Sequence, residues 1–130
     1  MSGELWCLVI AILIGFVSVG AQSFTFKAQV GHRYTIGPRD EGLTPERVAG
    51  RMERALRNFT ETFAFFAAAV LMVEITRCNG LLSLSGSVLY VVSRALYLPA
   101  YAFAPPGVRT LSWQVSMIGI LLILAQLAFP

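Results

Sequence analysis

The sequence predicts an all-α membrane protein, a bundle of four transmembrane helices, on three observations. Hydrophobic residues make up 56% of the chain and charged residues only 13%, against about a quarter charged in an ordinary soluble domain. Apolar runs long enough to cross a hydrocarbon layer of about 30 Å recur along the 130 residues, with short connections between them. Nearly all the basic side chains gather at one end of those runs. With a mean hydropathy of +0.69, the length accommodates one domain, residues 1–130, and no separate soluble part.

Composition also excludes partners and chemistries. A net charge of +3, with no basic cluster interleaved with aromatics, argues against nucleic-acid binding. Cys7 and Cys78 form no C-x-x-C and no metal spacing, so both read as unpaired and structural. His32 lies in a loop without a second ligand, and no metal site is expected.

The first span runs from Leu5 to Phe26 without a charge. It is read as a retained span rather than a cleaved signal peptide, because Met-Ser-Gly-Glu ahead of it carries no Lys or Arg. Lys27 to Leu43, rich in glycine and proline, predicts an irregular polar loop. Thr44-Pro45-Glu46 carries the signals of a helix start: Thr as N-cap, Pro in the first position, Glu at the positive end of the dipole. That helix is expected to end at Asn79-Gly80 with a left-handed glycine. At about 35 residues, or about 50 Å, it exceeds what the bilayer needs, so its first turns stand in headgroups or water. Leu81 to Phe103 forms the third span, with Arg94 its only charge and Pro99 expected to kink it. Pro105-Pro-Gly107 predicts a tight turn, and Val108 to Phe129 the fourth span. Its polar interruptions past Thr110 are Ser112, Gln114, Ser116 and Gln126.

With four spans, every basic residue except Arg77 sits on or toward the side of the long first loop. The positive-inside rule then puts that loop and the third connection in the cytoplasm, and both termini outside.

The chemistry lies on two helix faces. Arg47, Arg51, Arg54, Asn58 and Glu61 follow at steps of four, three, four and three, within an arc of roughly 80° at about 100° per residue. Tyr90, Arg94, Tyr97 and Tyr101 of the third span share an arc of roughly 60°, and Arg109 approaches from the fourth. Lipid does not tolerate such a stripe uncovered. In a bland alternative Arg54 pairs with Glu61, Arg57 pairs with Glu53, and the tyrosines form an interfacial belt. Against it, five arginines face one carboxylate in the stripe and cannot neutralise themselves, so they call for an anion. The set suits a small ligand with two carboxylates and one ammonium.

Arg51-Met-Glu-Arg54-Ala-Leu-Arg57-Asn58-Phe-Thr-Glu61, then Arg94-Ala-Leu-Tyr97-Leu-Pro-Ala-Tyr101, then Arg109, resembles the MAPEG family, the membrane-associated proteins of eicosanoid and glutathione metabolism. The likeness covers essentially the whole chain, in the manner of the small bacterial members. It implies a homotrimer in a bacterial inner membrane, with glutathione bound between neighbouring protomers. By position, Arg54, Asn58 and Glu61 hold glutathione from the second span, and Arg94, Tyr97 and Tyr101 contact it from the third. Glu61 meets its ammonium, while Arg51 and Arg33 reach a carboxylate. Arg109 matches the arginine assigned to thiol activation, for attack on a lipophilic electrophile or hydroperoxide arriving from membrane lipid. Detoxification or the handling of an eicosanoid-like lipid is the implied role. The alternatives are a non-catalytic MAPEG-like protein that binds glutathione or lipid and, from another class, a small four-span transporter. A proton-coupled transporter needs a buried acid facing a cation, and here Glu61 is outnumbered by arginines.

Overall fold

The computed structural model describes residues 1–103 and 105–130. Its elements are α1 (Gly3–Val30), α2 (His32–Ile36), α3 (Arg47–Thr76), α4 (Leu81–Phe103) and α5 (Pro106–Ala128), and no strand forms among the described residues. The four long helices are each apolar enough to cross a membrane. They run up, down, up and down. Glu4 at the start of α1 meets Ser83 at the start of α4 at 2.5 Å, and Leu82 N donates to Gln126 near the end of α5 at 3.3 Å. At the opposite end, Gln29 of α1 meets the entry to α3, and Arg51 of α3 reaches the end of α4.

Helix boundaries differ from the sequence expectation where distant side chains intervene. Thr44 does not cap α3, and Pro45 precedes the helix. Instead the Gln29 side chain spans the entry, donating to Thr44 O at 2.9 Å and accepting from Glu46 N at 2.8 Å. The Gln29 amide, with a donor and an acceptor on separate atoms, serves both sides of Pro45 at once. The predicted irregular loop contains α2, which is steadied by the Tyr34 hydroxyl accepting from Leu43 N at 2.8 Å. At the far end α3 stops at Thr76, and Arg77, not Gly80, takes the left-handed position with φ 55°. Cys78 N bonds back to Val73 O at 3.1 Å, closing a Schellman-type cap three residues early. Gly80 has a different duty. A Cβ there would come within 2.5 Å of Gln126 Oε1.

The expected turn at Pro105-Pro-Gly107 is mostly helix. Pro106 occupies the first helical position with Pro105 as its cap, since a missing N–H costs nothing there. Ala104 lies outside the described residues. α4 continues past Pro99 to Phe103.

The core joins all four long helices through Cys7, Ala11, Phe66, Ala69, Val70, Val73, Tyr90, Val91, Ile120 and Ile123. α4 and α5 approach most tightly at Gly86 and Gly119, where an added Cβ on either would stand 2.5 or 2.6 Å from the other's carbonyl oxygen. Small residues that let backbones touch are how helices gain dispersion energy in lipid, where no hydrophobic drive operates between them. That contact fixes which face of α5 looks at α4.

Candidate functional site

Where α3, α4 and α5 meet near the basic end, polar side chains form two layers. Arg94 makes the deeper one. It is only 2% exposed, and it spans the three helices: Nη1 donates to Asn58 Oδ1 of α3 at 2.7 Å, and Nη2 to Ser116 Oγ of α5 at 2.8 Å. The Tyr90 and Tyr97 rings flank its guanidinium, with centroids 5.6 and 5.3 Å from Cζ, a distance at which the ring quadrupole attracts a cation. Arg94 Nε is buried with no partner. A charged donor left unpaired away from water costs more than about 1–3 kcal/mol, a cost the surrounding hydrogen bonds and rings offset.

Tyr101 organises the outer layer. Arg54 Nε donates to its hydroxyl at 3.0 Å, and the guanidiniums of Arg54 and Arg109 lie 5.8 and 4.5 Å from its ring centroid. Arg51 Nη1 donates to Ala102 O at 3.1 Å. Beside them a cavity of about 250 Å³ is lined by Tyr97, Tyr101, Arg109, Thr110 and Trp113. Among the described residues no carboxylate hydrogen-bonds to Arg51, Arg54, Arg94 or Arg109. Neither of the bland pairings, Arg54 with Glu61 or Arg57 with Glu53, forms a salt bridge within 4.0 Å. Positive charge converges here with no carboxylate of the described residues in contact with it.

Not every expected member of the constellation joins it. Arg47 has φ 48° at the first position of α3, which takes it off the stripe to the α1–α3 entrance beside Thr25 and Gln29. Its helical phase cannot be extrapolated through a left-handed residue. Arg33 lies on α2 in a separate hollow with Tyr34, Arg39 and Leu43, outside the Arg54–Tyr101–Arg109 group of its own chain. Glu61 stands on the α3 face about a turn deeper than Asn58 and is exposed within one chain. Tyr90 joins only through its ring beside Arg94; its hydroxyl turns into the core, hydrogen-bonded to Thr62 at 3.2 Å, and the ring stacks on Phe66 with centroids 4.0 Å apart. Tyr97 is buried, which removes it from an interfacial belt.

A profile of the MAPEG family matches residues 4–129. The chain belongs to the MAPEG family. Comparison with curated proteins and with solved structures returned no match. As a MAPEG protein with four apolar helices it is an integral membrane protein.

Sequence reasoning passed over two serines of this MAPEG chain. Ser112 Oγ donates to Ser93 O at 2.6 Å, and Ser116 receives Arg94 while donating to Trp113 O at 2.7 Å. Both follow Arg109 at helical spacing, three and seven residues on, and so share its face of α5. That spacing in an otherwise apolar span was the available signal.

Proposed function

We propose that this protein is a glutathione-dependent transferase or peroxidase of the membrane, acting on lipophilic electrophiles or hydroperoxides. The observation that carries this reading is the group of uncompensated guanidiniums from α3, α4 and α5 around Tyr97 and Tyr101. The residues present fit glutathione by their chemistry. Cations outnumber carboxylates, as a ligand with two carboxylates requires, and Glu61 on the same α3 face suits one ammonium. When bound, glutathione supplies a nucleophilic sulfur.

The chain's own residues divide the work. Arg51, Arg54 and Asn58 bind and orient from α3, Glu61 receives the ammonium, and Arg94, Tyr97 and Tyr101 close the site from α4. Arg109, held over the Tyr101 ring, provides a positive charge that favours an ionised sulfur over a thiol. A carboxylate exposed in the middle of a span needs a cover other than lipid. A second copy of the chain is the cover we propose, in the homotrimer with sites at protomer boundaries that the MAPEG resemblance implies. Arg33, remote from the site of its own chain, would have to reach it from a neighbouring protomer. The bias of basic residues orients the long first loop to the cytoplasm, with both termini outside, and the resemblance to small bacterial members implies a bacterial inner membrane.

Calorimetric titration of glutathione into the purified protein in detergent tests the reading. Binding that weakens in Arg54→Ala supports it. No heat, or an Arg54→Ala variant identical to the parent, overturns it. Binding without turnover of chlorodinitrobenzene or lipid hydroperoxides, with Arg109→Ala keeping full affinity, would make the protein a non-catalytic binder.

A further inference from the structure

The Ser116 side chain is completely buried in the middle of α5, far along the helix from the open part of the site. Its hydrogen-bond pattern is fully determined by the chemistry of its neighbours. A guanidinium only donates, so Ser116 Oγ must accept from Arg94 Nη2 at 2.8 Å, and its own proton goes to Trp113 O at 2.7 Å. The same rule settles the Asn58 carboxamide. The atom facing Arg94 Nη1 at 2.7 Å must be the oxygen, so the two N–H donors are on the branch that Arg94 does not use, in a residue that shares its α3 face with Arg54 and Glu61.

The Tyr90 and Tyr97 rings attract the Arg94 charge, but a quadrupole does not fix how the guanidinium plane rolls about its axis. Two hydrogen bonds do. One goes to Asn58, and the other to Ser116. Nε has no partner and supplies no further restraint. We infer that Ser116 is a positioning residue which, by anchoring Arg94, holds the Asn58 amide with its donors toward the bound ligand. The inference rests on the glutathione-dependent reading and extends it to a residue that touches no substrate.

The test uses the full-length protein in detergent with glutathione as the probe. Ser116→Ala is expected to weaken glutathione by up to about tenfold, the worth of the one ligand hydrogen bond that a misaligned Asn58 amide would lose. It should raise KM and leave kcat at saturation nearly unchanged, because Arg109 is untouched. Ser116→Thr, which keeps the hydroxyl, should restore affinity. The decisive measurement places Ser116→Ala in an Asn58→Ala background. If Ser116 works through the amide, the second substitution adds little to the loss already caused by the first. An equal factor in both backgrounds overturns the inference, as does Ser116→Ala binding like the parent. A fall in thermal stability that tracks the affinity loss, with no rescue by threonine, overturns it as well. If the parent protein binds no glutathione at all, the functional reading fails first, and the two failures are told apart by that single control.

Discussion

At the residue scale, one phenol carries two cations. Tyr101 accepts from Arg54 Nε through its hydroxyl and presents its ring to Arg109 at 4.5 Å. Two cations gathered on one ring repel each other more weakly once something negative joins them, so the arrangement favours an anionic guest. Replacing Arg54 with alanine removes a charge-assisted donor worth about 1.5–3 kcal/mol. Glutathione affinity should fall at least about tenfold by calorimetry. Lysine should not restore it, because it lacks the planar fork whose Nε meets the phenol. Arg109→Ala has a different signature. Removing a cation beside a thiol makes ionisation harder, so kcat should drop and the rising limb of its pH profile should move to higher pH. A stopped-flow record of thiolate absorbance across pH checks this, and an unmoved profile would deny Arg109 its role.

At the element scale, the ends of α3 show how tertiary contacts override local signals. A threonine, a proline and a glutamate in sequence make a helix start, yet Gln29 from α1 sets the actual one. Asn79-Gly80 makes a helix stop, yet Arg77 adopts the left-handed cap and leaves Gly80 to admit Gln126. The α4–α5 pair depends on Gly86 and Gly119, whose added Cβ atoms would meet backbone oxygen rather than a yielding side chain. Gly119→Ala should therefore cost about 1–3 kcal/mol through overpacking, seen as a lower midpoint of thermal unfolding in detergent. Because that contact sets the rotation of α5, the same variant should also lower activity. Gly107→Ala, at a position with open space, is the control and should leave the midpoint in place.

At the scale of the whole molecule, the basic residues other than Arg77 gather at one end of the bundle while Glu4 and Glu74 take the other. There Glu4 is buried against Ser83, and Glu74 receives Ser2 and Asn79. An impermeant thiol reagent applied to intact cells should label Pro130→Cys and spare Asp40→Cys, in a chain whose Cys78 is serine. The reverse pattern would invert the proposed orientation. Glu61, exposed on a spanning helix, argues that a lone chain is incomplete in lipid. Native mass spectrometry from detergent should show a particle of three times the 14.2 kDa of one chain. A monomer that still binds glutathione would remove the need for shared sites.

Apolar run length and helical period, both local properties, determined the four spans, the polarity of the bundle's ends and the shared faces of Arg51, Arg54, Asn58 and Glu61 on one helix and of Arg94, Tyr97 and Tyr101 on the next. Residues on one helix keep a fixed phase whatever surrounds them. The axial rotation and offset between helices have no such local rule, since packing at places such as Gly86 and Gly119 sets them. Only the tertiary structure therefore decided that Arg94 bridges Asn58 to Ser116, that Tyr101 collects Arg54 and Arg109, and that Arg33 and Arg47 lie apart from them within one chain.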